Sequence, residues 1–208
     1  MNSLLRRTAL DLFDVGAVKF GRFRLKLHET NPQAPLSPIY IDLRTARSFP
    51  PILRDVAAVL GRMVIDLRPD FVADVPTAAS SIVGVIACFF NLPMLSPRID
   101  RKTHGVQGQV EGAFDPGAAV VLVDDLITRA QSKLEAVQVL RAHGLIVKDV
   151  VVLVDREQGG RAGLLEHGCE LHAAFTLNEM LDLYAREGRI TLEQQREVLS
   201  YLSASGTQ

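Results

Sequence analysis

Two adjacent carboxylates follow an apolar run near the middle of the sequence. Asp124 and Asp125 come directly after five apolar residues, Ala119 to Val123, and a turn with hydroxyl side chains follows them. The apolar run predicts a buried parallel strand, and ligands of open α/β sheets bind just past the carboxyl ends of strands. Acids there could hold a polyhydroxylated ligand or hydrated Mg²⁺, while Thr128, Ser132 and the first N–H groups of the next helix could hold a phosphate. On pattern alone, a solvated acid pair that caps a helix is equally well supported.

The segment Arg98–Gly105 is a second candidate, because three cations and a histidine lie within it. Pro97 and Gly105 bracket the segment, which favours a mobile loop. Such a loop could close over a diphosphate and stabilise the negative charge that develops as the diphosphate leaves. On composition alone, a solvated basic loop is the better-supported alternative.

A second apolar run, Val147–Val154, predicts another buried parallel strand, and it ends at Asp155 and Arg156. Arg156 is therefore expected at a carboxyl edge of the sheet. A guanidinium group is planar and can donate two parallel hydrogen bonds, which suits recognition of a carboxylate. A surface salt bridge is the alternative for Arg156.

Several segments resemble the orotate phosphoribosyltransferases, which are type I phosphoribosyltransferases. The run VVLVDDLITRAQSKLEAVQVL resembles the family signature for phosphoribosyl pyrophosphate (PRPP), and VVVLVDREQGGRAGLLEHGCELHAAFTLNEML is similar to the orotate branch. Further matches are FGRFRLK, SPIYIDLR, NLPML and the pattern R-x-x-x-K-x-H-G at Arg98–Gly105. Together the matches span about Asp11 to Ile190 in the family's order.

The resemblance implies transfer of phosphoribosyl from PRPP to orotate, with Mg²⁺ as cofactor, to give orotidine 5′-monophosphate and pyrophosphate in pyrimidine biosynthesis. It assigns catalysis to Lys102, His104 and Asp125, and indirect contact with the metal, through PRPP or water, to Asp124 and Asp125. The implied PRPP contacts are Lys26, Arg98, Lys102, His104, Asp124, Asp125, Thr128, Arg129, Ala130, Gln131 and Ser132. The implied orotate contacts are Tyr40, Ile41, Thr128 and Arg156. It also implies a homodimer, in which the Arg98–Gly105 loop reaches the neighbouring subunit's site.

Three features depart from the family pattern around PRPP. Arg129-Ala130-Gln131 stands where the family has glycines, and a side chain forced to positive φ costs about 1–2 kcal/mol. Asp74 replaces a glycine in the pyrophosphate loop, where its charge would repel a diphosphate, and Ile99 replaces a cation. Arg129 could compensate by binding the phosphate. Two alternatives follow: a paralogue that binds a nucleotide or partner without turnover, or transfer to another pyrimidine-like base.

The composition predicts one α/β domain across 208 residues, 48% of them hydrophobic. A formal charge of −1 gives no overall field for nucleic acid or an anionic membrane. The longest apolar stretch, Ile82–Phe90, is too short to cross a bilayer, and no secretory leader opens the chain. Cys88 and Cys169 lack a disulfide or metal spacing, so we expect buried free thiols and a cytoplasmic protein.

Buried strands that alternate with helices predict a central parallel sheet flanked by helices, the type I phosphoribosyltransferase fold. An N-terminal helix and hood are expected over about 1–45, the core over about 50–190, and a C-terminal helix and frayed tail over 191–208. The insertion 28–36 is expected to form an exposed loop. Helices are predicted at Leu4–Val15, Pro50–Leu67, Ile82–Phe90, about Ser132 to Gly144, Leu177–Tyr184 and Leu192–Leu202, and further strands at Val18–Leu27, Phe71–Ala73, Pro93–Leu95 and about Gln109–Gly112.

Overall fold

The computed structural model describes residues 3–24, 28, 31–99 and 109–205. The helices are α1 (Ser3–Asp14), α2 (Pro50–Asp66), α3 (Ser80–Phe90), α4 (Gln131–Ala142), α5 (Gly160–Glu166), α6 (Leu177–Arg186) and α7 (Leu192–Ser205). The strands are β1 (Val18–Phe23), β2 (Ser37–Ile41), β3 (Phe71–Asp74), β4 (Met94–Pro97), β5 (Val110–Glu111), β6 (Ala119–Ile127), β7 (Ile146–Asp155) and β8 (Glu170–Thr176). A short 3-10 helix, Leu43–Ser48, follows β2.

A six-stranded sheet with the order β5-β4-β3-β6-β7-β8 forms the centre of the molecule. The strands from β4 to β8 in this order are parallel, whereas β5 pairs antiparallel with β4. Successive residues of β6 face opposite sides: Val121 and Val123 pack in a core with α1, α2, α3, α6 and α7, and Val120 and Leu122 pack with α4 and α5. The predicted α/β class and type I fold are confirmed.

The N-terminal hairpin lies beside this core. Strands β1 and β2 pair antiparallel, with Val18 opposite Ile41 and Phe20 opposite Ile39. Helix α7 packs against β2, and the buried Tyr184 of α6 donates a hydrogen bond of 2.9 Å from its hydroxyl to Ala9 O in α1. The two ends of the described chain therefore close over the same side of the sheet.

Most predicted elements are confirmed, but β6 and α4 differ in ways that affect the site. Strand β6 does not end before the acids; it continues through them to Ile127, because its pairing with β7 extends to Asp155. Helix α4 buries Lys133, Ala136, Val137 and Leu140, and Leu134 packs against the same core while only partly buried. Lys133 is thus buried, although a surface position is usual for lysine.

Other expectations needed smaller corrections. Helix α5 and strand β8 were not predicted. In the insertion 28–36, the described positions from 31 are mostly exposed, but His28 is buried, with Nε2 3.2 Å from Ala34 O. Cys169 is buried as expected, whereas Cys88 is exposed, and α7 extends into the expected tail as far as Ser205. Among the described residues, no helix is both long and apolar enough to cross a membrane.

Candidate active site

The carboxyl ends of β3, β6 and β7 bring distant polar residues to one edge of the sheet. In the strand pairing, Asp74 lies opposite Val123, and Ile127 lies opposite Asp155. The acid pair of β6 is therefore flanked by the loop after β3 on one side and by Arg156 on the other. This edge is where open α/β sheets bind ligands.

Asp124 and Asp125 are both buried, with 3% and 9% of their surface exposed. Asp124 Oδ1 accepts the N–H of Asp125 at 2.8 Å, and Asp125 Oδ1 accepts the N–H of Leu126 at 2.7 Å. The acids are therefore held by the strand's own backbone and do not cap α4, which excludes the solvated helix cap.

Lys133 is a site residue that the sequence analysis missed. Its Nζ lies 2.5 Å from Asp124 Oδ2, and both side chains are almost completely buried. The available signal was the spacing of Lys133 from Ala136, Val137 and Leu140, which puts the four residues on one helical face.

Asp125 has an unusual protonation equilibrium. Burial raises its pKa to about 7, and the negative charge of Asp124 adds to the effect, while Lys133 and the Leu126 N–H oppose it. Carboxyl groups with a pKa near neutral are common in active sites, where burial and neighbouring charges shift the pKa. The guanidinium of Arg44, in the 3-10 helix, also interacts electrostatically with Asp125.

The loop from Thr128 to Ala130 connects β6 to α4 without the strain expected from its missing glycines. Ala130 has φ −75° and ψ −11°. The non-glycine residues with positive φ in the described chain are Arg68, Asn91 and Glu157, so the loop residues Arg129 to Gln131 are not among them. The expected backbone strain of this loop is therefore wrong, and with it the main physical reason for a catalytically degraded site.

The backbone N–H groups at the start of α4 lie beside this loop. Arg129 and Ser132 are exposed, Thr128 is half-buried, and Gln131 Nε2 donates to Glu135 Oε1 at 2.9 Å. The first N–H groups of a helix have no intrahelical acceptor, so they can bind a phosphate. The loop has this geometry even though its glycines are replaced.

Arg156 is buried behind the end of β7, with 7% of its surface exposed. Its backbone N–H donates to Ile127 O at 2.9 Å, which fixes its backbone to the end of β6. Its Nε and Nη2 are buried and find no hydrogen-bond partner among the described residues. Burial lowers the pKa of Arg156, while the nearby Tyr201 of α7 raises it. The alternative of a surface salt bridge is excluded by this burial.

The loop after β3 is anchored at both ends. Asp74 is buried and accepts hydrogen bonds from the hydroxyls of Ser80 and, at 2.6 Å, Ser96. Arg47 donates to Thr77 O, to Ala78 O at 2.9 Å and to Ser81 Oγ at 3.1 Å. Because the hydroxyls occupy both Asp74 oxygens, this carboxylate joins β3, α3 and β4, which is a structural explanation for the missing glycine.

The remaining predicted residues divide into two groups. On β2, the ring of half-buried Tyr40 lies 5.6 Å from that of Phe23, and Ile41 is buried in the core. The contacts of both residues with orotate stay predictions. Arg98 lies in a cleft with Asp74, Ser96 and Ile99, and its Nε pairs with Glu111 Oε1 at 2.7 Å. Lys26, Lys102 and His104 lie outside the described residues, and their roles stay predictions.

Comparison with known proteins identifies the family. The orotate phosphoribosyltransferase of Natronomonas pharaonis is 36% identical over 170 residues, which cover 82% of this chain and 93% of that protein. The chain belongs to the orotate phosphoribosyltransferase family. The structure of orotate phosphoribosyltransferase from Aeropyrum pernix is similar with a TM-score of 0.74 and 30% identity, covering 88% of this chain and 98% of that one.

Some relatives are longer than this chain. Uridine 5′-monophosphate synthase of Bos taurus is 36% identical over 203 residues, which cover 97% of this chain but 41% of that protein. The chain thus spans less than half the length of this relative of the orotate phosphoribosyltransferase family. No protein-family model matches the sequence.

Proposed function

We propose that this protein is an orotate phosphoribosyltransferase: it transfers phosphoribosyl from PRPP to orotate and releases pyrophosphate. The observation that carries the proposal is Arg156. A buried guanidinium with two unpartnered nitrogens is costly unless an anion completes its hydrogen bonds. The carboxylate of orotate is such an anion, and its two oxygens match the planar donors of arginine.

The neighbouring groups suit the other substrate. Asp125 can accept hydrogen bonds from the ribose hydroxyls of PRPP, and the Thr128–Ser132 segment with the start of α4 can hold its 5′-phosphate. The loop after β3, between Asp74 and Arg47, lies beside the acid pair and can hold the diphosphate. With the two substrates bound in these positions, the anomeric carbon would lie between the acid pair and the base. N1 of orotate can then attack this carbon as pyrophosphate leaves.

Magnesium is part of the proposal. Oxygen ligands are those that Mg²⁺ prefers, and a carboxylate such as Asp125 suits a metal held through PRPP or water. Asp124 fits less well, because its two oxygens already receive the Lys133 ammonium and the Asp125 N–H. When bound, Mg²⁺ would neutralise negative charge on the diphosphate.

Three further expectations from the sequence belong to the same proposal. Lys102 and His104 assist the departure of pyrophosphate, and Arg98 contacts PRPP. Two copies form a homodimer, in which the Arg98–Gly105 loop of one subunit serves the site of the other. The protein is cytoplasmic, which agrees with its two free cysteines, Cys88 and Cys169.

The test is identification of the product by mass spectrometry. Purified protein is incubated with PRPP, Mg²⁺ and orotate, and in parallel with uracil or cytosine in place of orotate. We expect orotidine 5′-monophosphate in the first mixture and no nucleotide product in the others, because only orotate carries the carboxylate that pairs with Arg156. A product from uracil but not orotate would overturn this assignment of the base.

A further inference from the structure

Lys133 stands where neither its helix nor its surroundings favour a cation. It is the third residue of α4, in the first turn, where the helix dipole disfavours positive charge. It is also 5% exposed, and an ammonium group is expensive to bury unless an opposite charge accompanies it. Asp124, 2.5 Å from Nζ, is that charge.

The ion pair leaves Asp124 with little capacity for a ligand. Oδ2 receives the ammonium of Lys133 and Oδ1 receives the N–H of Asp125. The side chain of Asp124 is 4% exposed. A carboxylate can accept about four hydrogen bonds, so it is the burial of Asp124, more than its two contacts, that leaves a ribose hydroxyl little access to it.

Asp125 lacks the contact with the Lys133 ammonium that Asp124 has, although its Oδ1 likewise accepts a backbone N–H, that of Leu126. It is also the more exposed of the two acids. Its backbone N–H is bound by Asp124, which Lys133 in turn holds. The order of contacts therefore runs from Lys133 through Asp124 to the backbone of Asp125.

We propose that Lys133 holds Asp124 in the interior through their ion pair, so that Asp125 is the acid that binds the ribose. Lys133 and Asp124 are then positioning residues for Asp125. The proposal rests on the function proposed above and specifies its PRPP site. It predicts that removal of either charge of the Lys133–Asp124 pair weakens PRPP binding, and that removal of both charges restores part of the affinity.

A double-mutant cycle on PRPP affinity, measured by calorimetry with Mg²⁺, tests this inference. Lys133→Met and Asp124→Asn should each weaken PRPP binding about tenfold, which is about 1.4 kcal/mol, because each leaves a buried partner uncompensated. The double variant should bind PRPP several-fold more tightly than Asp124→Asn alone. Lys148→Met, on an exposed lysine of β7, is the matched control and should bind like the parent.

A double variant that binds no better than Asp124→Asn would overturn the inference, since that result requires Asp124 itself to contact the ligand. If the single variants do not fold, the double variant is compared with Asp125→Asn, and it must bind PRPP more tightly than Asp125→Asn does. The parent is measured first. Failure of the parent to bind PRPP overturns the proposed function together with this inference, whereas a weak double variant beside a binding parent overturns this inference alone.

Discussion

Two buried cations characterise the site at the level of single residues. Arg156 was predicted as a ligand contact, because it follows an apolar strand and matches a family motif. Lys133 was not predicted as a site residue, because a lysine near the start of a helix is usually exposed and the sequence does not show how close it lies to Asp124. A motif therefore indicated the groups proposed to contact the ligand, whereas the groups that hold them depend on packing between β6 and α4.

The raised pKa of Asp125 predicts a pH-dependent stability. The folded protein binds this proton more tightly than the unfolded chain, whose carboxyl keeps a pKa near 3.8, against about 7 when folded. The contribution of this group to stability is therefore greatest at low pH and is lost as pH rises from about 4 to about 7.

Chemical denaturation across this pH range, with the parent and Asp125→Asn side by side, checks the sign. We expect the free energy of unfolding of the parent to fall relative to that of Asp125→Asn as pH rises. A difference that stays constant would mean that Asp125 is ionised throughout and that its burial is compensated.

At the level of elements, α5 packs against the loop from Thr128 to Ala130. A Cβ built on Gly160 would lie 2.5 Å from Ile127 Cγ1 and 3.0 Å from Thr128 O, and one on Gly163 would lie 3.1 Å from Ala130 Cβ. Helix α5 is short and weakly periodic, so periodicity did not predict it. Gly160 and Gly163 were the sequence signal for α5, and they permit its close approach to the loop.

Gly160→Ala should therefore disturb the loop. Overpacking of this kind costs about 1–3 kcal/mol of stability, and displacement of the Thr128 carbonyl should also weaken PRPP binding. Gly84→Ala, in α3, is the control, because a Cβ there meets no atom within 4 Å. Thermal unfolding and calorimetry should separate the two variants; equal stability would show that α5 can move away from the loop without cost.

The 3-10 helix predicts a second effect at this level. Arg47 binds two successive carbonyls of the loop after β3 and the hydroxyl of Ser81. Arg47→Met should raise KM for PRPP several-fold with little change in KM for orotate, because only the loop beside the diphosphate loses its anchor. Arg62→Met, an exposed site on α2, should change neither constant. An equal rise in both constants would indicate general damage to the fold.

For the whole molecule, the sequence predicted the fold class and most of the helices and strands of the core, because long apolar runs and family motifs carry that information. Strand β5 was predicted at about Gln109–Gly112, whereas α5 and β8 were not predicted. Burial of Asp74, Lys133 and Arg156 depends on contacts between packed elements, and the composition does not indicate those contacts.

A homodimer with shared sites makes a distinct prediction. Lys102→Ala removes the loop lysine proposed to act in catalysis, and Asp125→Asn removes the acid proposed to bind the ribose, so each variant should be nearly inactive by itself. If one subunit supplies the loop to the other, mixing the two variants and allowing exchange should restore up to about a quarter of the parental activity, because random pairing gives half heterodimers, each with one intact site. Light scattering should report a dimer, and a mixture that stays inactive would argue against sites shared between subunits.

The central claim, that Arg156 receives the carboxylate of orotate, is tested most directly by steady-state pyrophosphate release as orotate is varied. Arg156→Lys keeps the charge but loses the planar pair of donors. We predict orotate-dependent release by the parent at saturating PRPP and Mg²⁺, and a rise of about tenfold or more in KM for orotate in Arg156→Lys, the loss of roughly 1.4 kcal/mol of binding. No orotate-dependent release by the parent, or the same KM in both proteins, would contradict this account.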